Sequence, residues 1–361
     1  YTPNEFHETV REAIRPLVRD KIAPAAAEVD ATAEFPQAAY DALRETAFHA
    51  PHIPEEYEGL GADALATCIV IEEVARGCAS SSLIPAVNKL GSMPVILGGS
   101  EEINARYMPR LAKGEGFSYG LSEREAGSDT AGMKCKATRD GDDWVLNGQK
   151  AWITNAGESE PYTVLAVTDP DGPRGNNISA FVVEKSDEGF GFSEKERKLG
   201  IKGSPTRELH FDNCRVPAEN VLLGPGGFKK QMASFNVERL GNTARSLAFG
   251  RYCYDRAREH AGVRQQFGRP LAEFQGLQWK FADMAIKLEG AQLLLYRAAA
   301  NADKGLPSAY ETAVAKAACN QAGWECAHES MQIMGAAGFS KTSLIEYCMR
   351  RCRGWMIAGG S

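Results

Sequence analysis

Tyr119–Asp129, YGLSEREAGSD, is a compact polar turn, and Trp152-Ile153-Thr154 follows it in a stretch whose hydrophobic period differs from everything before. Ala126 and Gly127 allow close backbone approach to a ligand, while Ser122 and Ser128 add hydroxyls to the free amides of the turn. Taken alone, the run reads as well as a capping box followed by a β-turn, and Trp152 as well as a buried structural indole. Together they suit a flat heteroaromatic ring contacted by one indole and two hydroxyls.

Working outward, both flanks are helical. Phe6, Val10, Ile14, Leu17, Val18, Ile22 and Ala26 recur at three- and four-residue spacing, and Pro24 marks an interruption. Further helices are expected over roughly 36–46 and 64–77, with Glu72-Glu73 near one face of the latter. Over 81–112, short helices are expected, broken at Gly91, Pro94, Gly98-Gly99 and Pro109, with a capped entry at Ser100. From Gly114 the period becomes that of strands: Trp144–Asn147 before a Gly148 turn, Tyr162–Thr168, Ile178–Glu184 and Glu208–Phe211. Turns at Asp140-Gly141, Asn147-Gly148 and 170–177 predict an antiparallel module. Beyond Phe228 the segments 228–260, 273–303, 307–335 and 342–352 read as a helix bundle. The chain is therefore α+β: an N-terminal all-α domain (1–113), a middle antiparallel β domain (114–220) and a C-terminal four-helix bundle (221–361).

Bulk composition narrows the partners. A net charge of −6 spread over 361 residues gives no nucleic-acid surface, and no apolar run is long enough to span a bilayer. Nine cysteines without a CxxC pair predict reduced, buried thiols and a cytoplasmic compartment, with packing the expected role of Cys348 and Cys352. His49 and His52 lack a third nearby ligand, so no metal site is expected. Tyr1 is not a methionine, so a native start is expected upstream.

With these motifs in order, the chain resembles the acyl-CoA dehydrogenase family from about residue 5 to its end. YGLSEREAGSD resembles the family's first signature and NGQKAWITNAG the strand after it. RQQFG (264–268) with Phe274-Gln275 resembles the signature of its bundle, and MQIMG (331–335) with Gly338-Phe339 the late one. The resemblance implies FAD as cofactor. It implies Leu121 and Ser122 at the flavin ring, with Ser122 at its pyrimidine edge, Tyr119 and Gly127 among the cofactor-binding residues, and Ser128 at the pyrophosphate and next to substrate. It implies Trp152 packing on the flavin and Thr154 at its N5 edge. Arg264, Phe267 and Gln332, with Ala336 where a second glycine is usual, would reach the FAD of a neighbouring subunit in a homotetramer built as a dimer of dimers. Ser361 completes the cofactor set. Electron-transfer flavoprotein is the implied acceptor, and a further helix is expected beyond Ser361.

One departure decides the mechanism. Where most relatives carry a catalytic Glu before Gly-Thr, this chain reads Ala358-Gly359-Gly360-Ser361, and glycine cannot take a proton. FNVERL (235–240) resembles instead the helix in isovaleryl-CoA dehydrogenase and long-chain relatives where the Glu before Arg is the base. Glu238 is then the general base, Arg239 orders its helix end, and the Gly359 amide is the donor to the thioester carbonyl. On its own, Glu238 reads as a solvated helix residue. Phe235, Arg239, Ala358, Gly359 and Gly360 are candidates for contact with acyl-CoA, and the small residues leave room for a branched or bulky acyl chain. Arg197, Lys198, Lys202 and Ser204 read by themselves as a solvated charge run. Two alternatives stay open: non-oxidative elimination, such as desulfination of a 3-sulfinoacyl-CoA, and a non-catalytic subunit of a hetero-oligomer.

Overall fold

The computed structural model describes residues 1–302 and 305–361. The N-terminal helices are α1 (Glu5–Leu17), α2 (Ala26–Thr32), α3 (Gln37–Glu45), α4 (Ala64–Gly77), α5 (Leu83–Gly98) and α6 (Glu101–Ala112). Polar caps fix their starts. Asn4 and His7 form a reciprocal capping box, Asp63 accepts the Ala66 amide at 2.7 Å, and Ser100 accepts that of Ile103 at 3.3 Å. The expected interruption before Pro24 is a π turn at Val18–Ile22 followed by a 3-10 turn at Ala23–Ala25.

α5 differs from expectation: it runs unbroken through Gly91 and Pro94, and α6 runs through Pro109. Pro94 removes a single intrahelical bond, and a helix buried at nearly every position is held by its packing. Gly91 is there for proximity. A Cβ would lie 2.7 Å from the Phe117 carbonyl oxygen, so the glycine lets α5 rest directly on the chain entering the sheet. The break at Gly98-Gly99 is found as expected.

The middle region is a single eight-stranded sheet. Its strands are β1 (Ser118–Gly120), β2 (Lys136–Asp140), β3 (Asp143–Thr154), β4 (Pro161–Val167), β5 (Ile178–Glu184), β6 (Phe190–Phe192), β7 (Thr206–Pro217) and β8 (Val221–Leu223). Their order is β6-β7-β3-β2-β4-β5-β8, with β1 beside β4. The sheet is mostly antiparallel, but β1 and β2 both meet β4 in parallel, pairings that adjacent turns cannot signal. No turn forms at Gly148. β3 continues through it with a register shift against β7, because a side chain at φ +137° would strike the Cys135 backbone.

The C-terminal helices are α7 (Phe228–Ser234), α8 (Asn236–Val263), α9 (Gln275–Ala300), α10 (Ala309–Met334), α11 (Ala336–Phe339) and α12 (Ile345–Trp355). A short hairpin, β9 (Gln265–Gln266) with β10 (Arg269–Pro270), joins α8 to α9. The expected 273–303 segment ends on residue 303, outside the described residues. α4 and α5 pack into the same apolar core as α8, α9, α10 and α12, so the two helical regions share one interior. All nine cysteines are free and buried, as expected. Among the described residues, no helix is long and apolar enough to cross a membrane and no metal-ligating cluster exists.

α8 and α10 touch backbone to backbone. A Cβ on Gly250 would lie 3.0 Å from the Gly323 Cα, and one on Gly323 would fall inside the contact radius of the Ser246 carbonyl oxygen. Gly323→Ala is therefore expected to destabilise the protein by about 1–3 kcal/mol through overpacking. A lowered midpoint in chemical unfolding checks this. An exposed glycine with open space around it, such as Gly276, is the control.

Candidate active site

Glu123 shapes the quoted turn. Its backbone exchanges hydrogen bonds with Ala126, at 3.1 and 3.2 Å. Its carboxylate accepts the amide N–H groups of Lys134 at 2.7 Å and Cys135 at 3.0 Å, and the Lys150 ammonium at 2.8 Å. The fully buried Lys150 also donates to the Leu121 carbonyl at 3.2 Å, and the Ala151 amide donates to that of Ser122 at 2.8 Å. The turn is thereby stapled to β3. Ser122, half-buried, and Ser128 and Gly127, exposed, occupy its rim, with nothing within 4 Å of a Cβ on Gly127. Among the described residues, the hydroxyls of Ser122, Ser128 and Thr154 make no side-chain hydrogen bond, although Thr154 accepts from Ser118 through its carbonyl.

Trp152 is not a buried structural indole. It is 53% exposed, at φ +64°, where the β3–β7 register shifts between Lys150 and Ile153. This bulge sends Lys150 inward and the indole outward. Arg124 covers the ring at 5.4 Å and pairs with Glu208 and, at 3.6 Å, with Glu196. A bulky side chain exposed in a left-handed conformation beside unpartnered hydroxyls fits a planar ligand. The side chains of Tyr119 and Leu121 are buried in the apolar core.

Tyr119 instead ties the sheet to the bundle. Its hydroxyl accepts from Gln231 at 3.0 Å, and its ring lies 6.1 Å from that of Phe235, at the joint between α7 and α8. The Arg239 guanidinium sits 5.7 Å over the other end of this contact, the Phe235 ring, and donates to Asn236 at 2.5 Å and to the Gly359 carbonyl at 3.1 Å. Asn242 donates to the carbonyls of Ala358 at 3.1 Å and Trp355 at 3.3 Å, and Lys316 to that of Gly360. These bonds pin the carbonyls of the C-terminal turn, while the Gly359 amide takes no backbone partner among the described residues. Gly359 has φ +72° and open surroundings: a Cβ would meet nothing nearer than 3.7 Å.

Glu238 does not face bulk solvent. It lies in the first turn of α8, 9% exposed, with Oε1 accepting from Arg245 Nη2 at 3.0 Å and Oε2 without a partner. Burial pushes its carboxyl above the usual range, and the nearby Arg245 charge opposes that rise. The structure thus brings together Arg239, Phe235, Ala358 and Gly359, with Glu238 next to Arg239 in the chain of α8. Gly360 and Ser361 are exposed at the edge of this cluster.

Arg264, Phe267, Gln332 and Ala336 are exposed at the hairpin end of the bundle, with Phe267 94% accessible. They share no hydrogen bond or ring contact with the Ser122–Trp152 loop of their own chain. Part of the expected surface charge run is internal: Lys198 donates to Ser204 at 2.6 Å and Thr206 at 2.8 Å, and burial lowers its ammonium to about 8. Glu123, Lys150, Arg124 and Arg245 were not singled out in the sequence. An apolar groove of about 720 Å³ between α9 and α10, lined by Ile286, Leu293, Leu294 and Ala322, contains none of the residues above.

Comparison with known proteins converges on one family. The acyl-CoA dehydrogenase N-terminal, middle and C-terminal domain models match residues 4–115, 118–214 and 225–361. A Mycobacterium tuberculosis protein named "Probable acyl-CoA dehydrogenase FadE25" is 50% identical, over 99% of this chain and 92% of its own. Among solved structures, glutaryl-coenzyme A dehydrogenase in its glutaryl-CoA complex superposes with a TM-score of 0.94 at 34% identity, covering 100% of this chain and 93% of that one. A chain from work on the electron transferring flavoprotein of Acidaminococcus fermentans gives 0.96 at 31% identity, covering 100% and 96%.

Lys150→Met would leave the Glu123 carboxylate enclosed without its cation, a change that costs about 3–5 kcal/mol in comparable buried pairs. The expected outcome is a lower unfolding midpoint together with faster proteolytic cutting within 121–134. Unchanged cutting there would show that the turn does not depend on this staple.

Proposed function

This chain belongs to the acyl-CoA dehydrogenase family and is a flavin-dependent oxidoreductase; from that premise we propose that it oxidises the Cα–Cβ bond of an acyl-CoA with Glu238 as general base. The observation that carries this reading is the bare Oε2 of a buried Glu238, one residue before the arginine that holds the Gly359 carbonyl.

FAD fits the residues present: an exposed indole, three unpartnered hydroxyls, and a rim open at Gly127. Ser122 would meet the flavin ring, Ser128 the pyrophosphate and Thr154 the N5 edge, with Trp152 packed alongside. When bound, FAD supplies the two-electron acceptor for the β-hydrogen. The chain's own part is acid–base and electrostatic. Oε2 of Glu238 takes the α-proton, and the Gly359 amide donates to the thioester carbonyl oxygen where negative charge accumulates. Arg239 holds that amide in place through the Gly359 carbonyl.

The substrate is read as a branched or bulky acyl-CoA, supported by the open space at Gly359 and the absence of a side chain there. Electron-transfer flavoprotein is the proposed acceptor. A homotetramer is the proposed assembly, with Arg264, Phe267, Gln332 and Ala336 serving a neighbour's cofactor. Exposed Trp279, Ile286 and Leu293, seven residues apart on α9, together with Phe267, support coverage by further copies of the chain. Light scattering is expected to give four times the monomer mass, and a monomer at micromolar concentration would contradict this.

Anaerobic mixing with isovaleryl-CoA, butyryl-CoA and octanoyl-CoA tests the function. Bound flavin is expected to bleach, fastest with the branched substrate, and Glu238→Gln to slow bleaching by about 10²-fold or more. The base works as an anion, so the rate should climb as pH rises through its raised pKa, with the limb above the ordinary Glu value of about 4.3. Turnover of a 3-sulfinoacyl-CoA without bleaching would indicate elimination, and an inert flavin would indicate a non-catalytic subunit.

A further inference from the structure

Arg245 follows Glu238 by seven residues on α8, two turns along the same face. It is fully buried, and its guanidinium lies on Trp355 of α12, 4.1 Å from the ring centroid. Nη2 donates to Glu238 Oε1, while Nε and Nη1 have no partner among the described residues. Among the described residues, Glu238 is the one carboxylate that acts on it.

Several other charged groups on α8 and on the elements around it have partners of their own. Arg239 holds Gly359 and Asn236, Lys316 of α10 reaches Met356 and Gly360, and Arg351 of α12 pairs with Asp30 at 2.5 Å. Glu72 of α4 accepts from Tyr296, and Lys89 of α5 points to Thr67. Among the described residues, Glu238 is thus the acidic partner of Arg245.

We propose that Arg245 is the positioning residue for Glu238: it anchors one carboxylate oxygen and leaves the other bare for the substrate's α-proton. This rests on the reading of Glu238 as base. A carboxylate free to rotate would present its oxygens to the thioester only part of the time, and one fully enclosed without a cation would sit protonated. A single charge-assisted bond to Oε1 addresses both, since the stacking on Trp355 fixes where the guanidinium can be. During the step, the Cα–H bond breaks and its proton moves to Oε2. The electron pair stays on the substrate, delocalised towards the thioester carbonyl, and Arg245 keeps its bond to Oε1 throughout. A role in packing alone would predict lost stability with no change in how the rate depends on pH.

The experiment is the pH profile of flavin reduction by isovaleryl-CoA in the FAD-loaded enzyme and in Arg245→Met and Arg245→Lys. In Arg245→Met the acid limb is expected to move up by about one pH unit or more, with a rate loss at neutral pH that recovers as pH rises. Arg245→Lys, which keeps a cation, is expected to move it less. An unshifted limb in flavin-loaded Arg245→Met overturns the proposal. Should that variant not hold flavin, the infrared difference between wild type and Glu238→Gln decides. An ionised carboxylate at pH 7 supports the proposal, and a protonated carbonyl band overturns it. If Glu238→Gln reduces flavin as fast as wild type, the reading of the base has failed. If it is inert while the Arg245→Met limb stays put, the positioning role alone has failed.

Discussion

The bundle is organised around the crossing of α8 and α10 at Gly250 and Gly323, where no side chain separates the two backbones. Helices this close have little freedom to slide, because any shift drives atoms into a carbonyl or another glycine. The crossing fixes the stretch of α8 just before it. Ser246 touches Gly323, Arg245 is one residue earlier, and Asn242, Arg239 and Glu238 follow towards the helix start. Arg239 and Asn242, which hold the C-terminal turn from α8, therefore share a single rigid rod with the side chain that carries the carboxylate. That is how a reactive geometry of tenths of an ångström can be kept.

The other half of the site is built differently. The YGLSEREAGSD turn owes its shape to Glu123 and Lys150 rather than to an extended element. Tyr119 joins the halves, reaching Gln231 and Phe235 from the edge of the sheet. Several backbone carbonyls of the two parts are held by side chains, those of Leu121 by Lys150, Ala358 by Asn242 and Gly359 by Arg239. Glu238 Oε2 is one of the buried polar atoms left without a partner among the described residues.

Periodicity made most of this legible. Ile178–Glu184 is the strand expected, and the long bundle helices fall close to the segments drawn from the sequence. The misreadings share a cause. Gly91, Pro94 and Gly148 look like local breaks in the sequence, whereas each is set by a partner distant in sequence: Gly91 by Phe117, Gly148 by Cys135, and Pro94 by a core that buries most of the helix. The parallel pairings of β4 are equally non-local. Glu238 was picked from a resemblance and a missing glutamate at 359. Arg245 is not legible in the sequence, because an arginine inside a helix looks solvated until its neighbours are known. Glu123 and Lys150 lay within quoted motifs, but nothing in their spacing announces a buried pair.

The nine enclosed cysteines give the molecule a practical property. With none at the surface, and with burial raising thiols such as Cys68 to about 12, an alkylating reagent finds no thiolate in the closed form. Modification can proceed only through opening of the structure, so its rate is a clock for that opening. Because Cys135 and Cys214 pack in the core of the sheet while Cys319 and Cys326 lie on α10, mapping which peptides are tagged first would tell whether the sheet or the bundle lets go earlier.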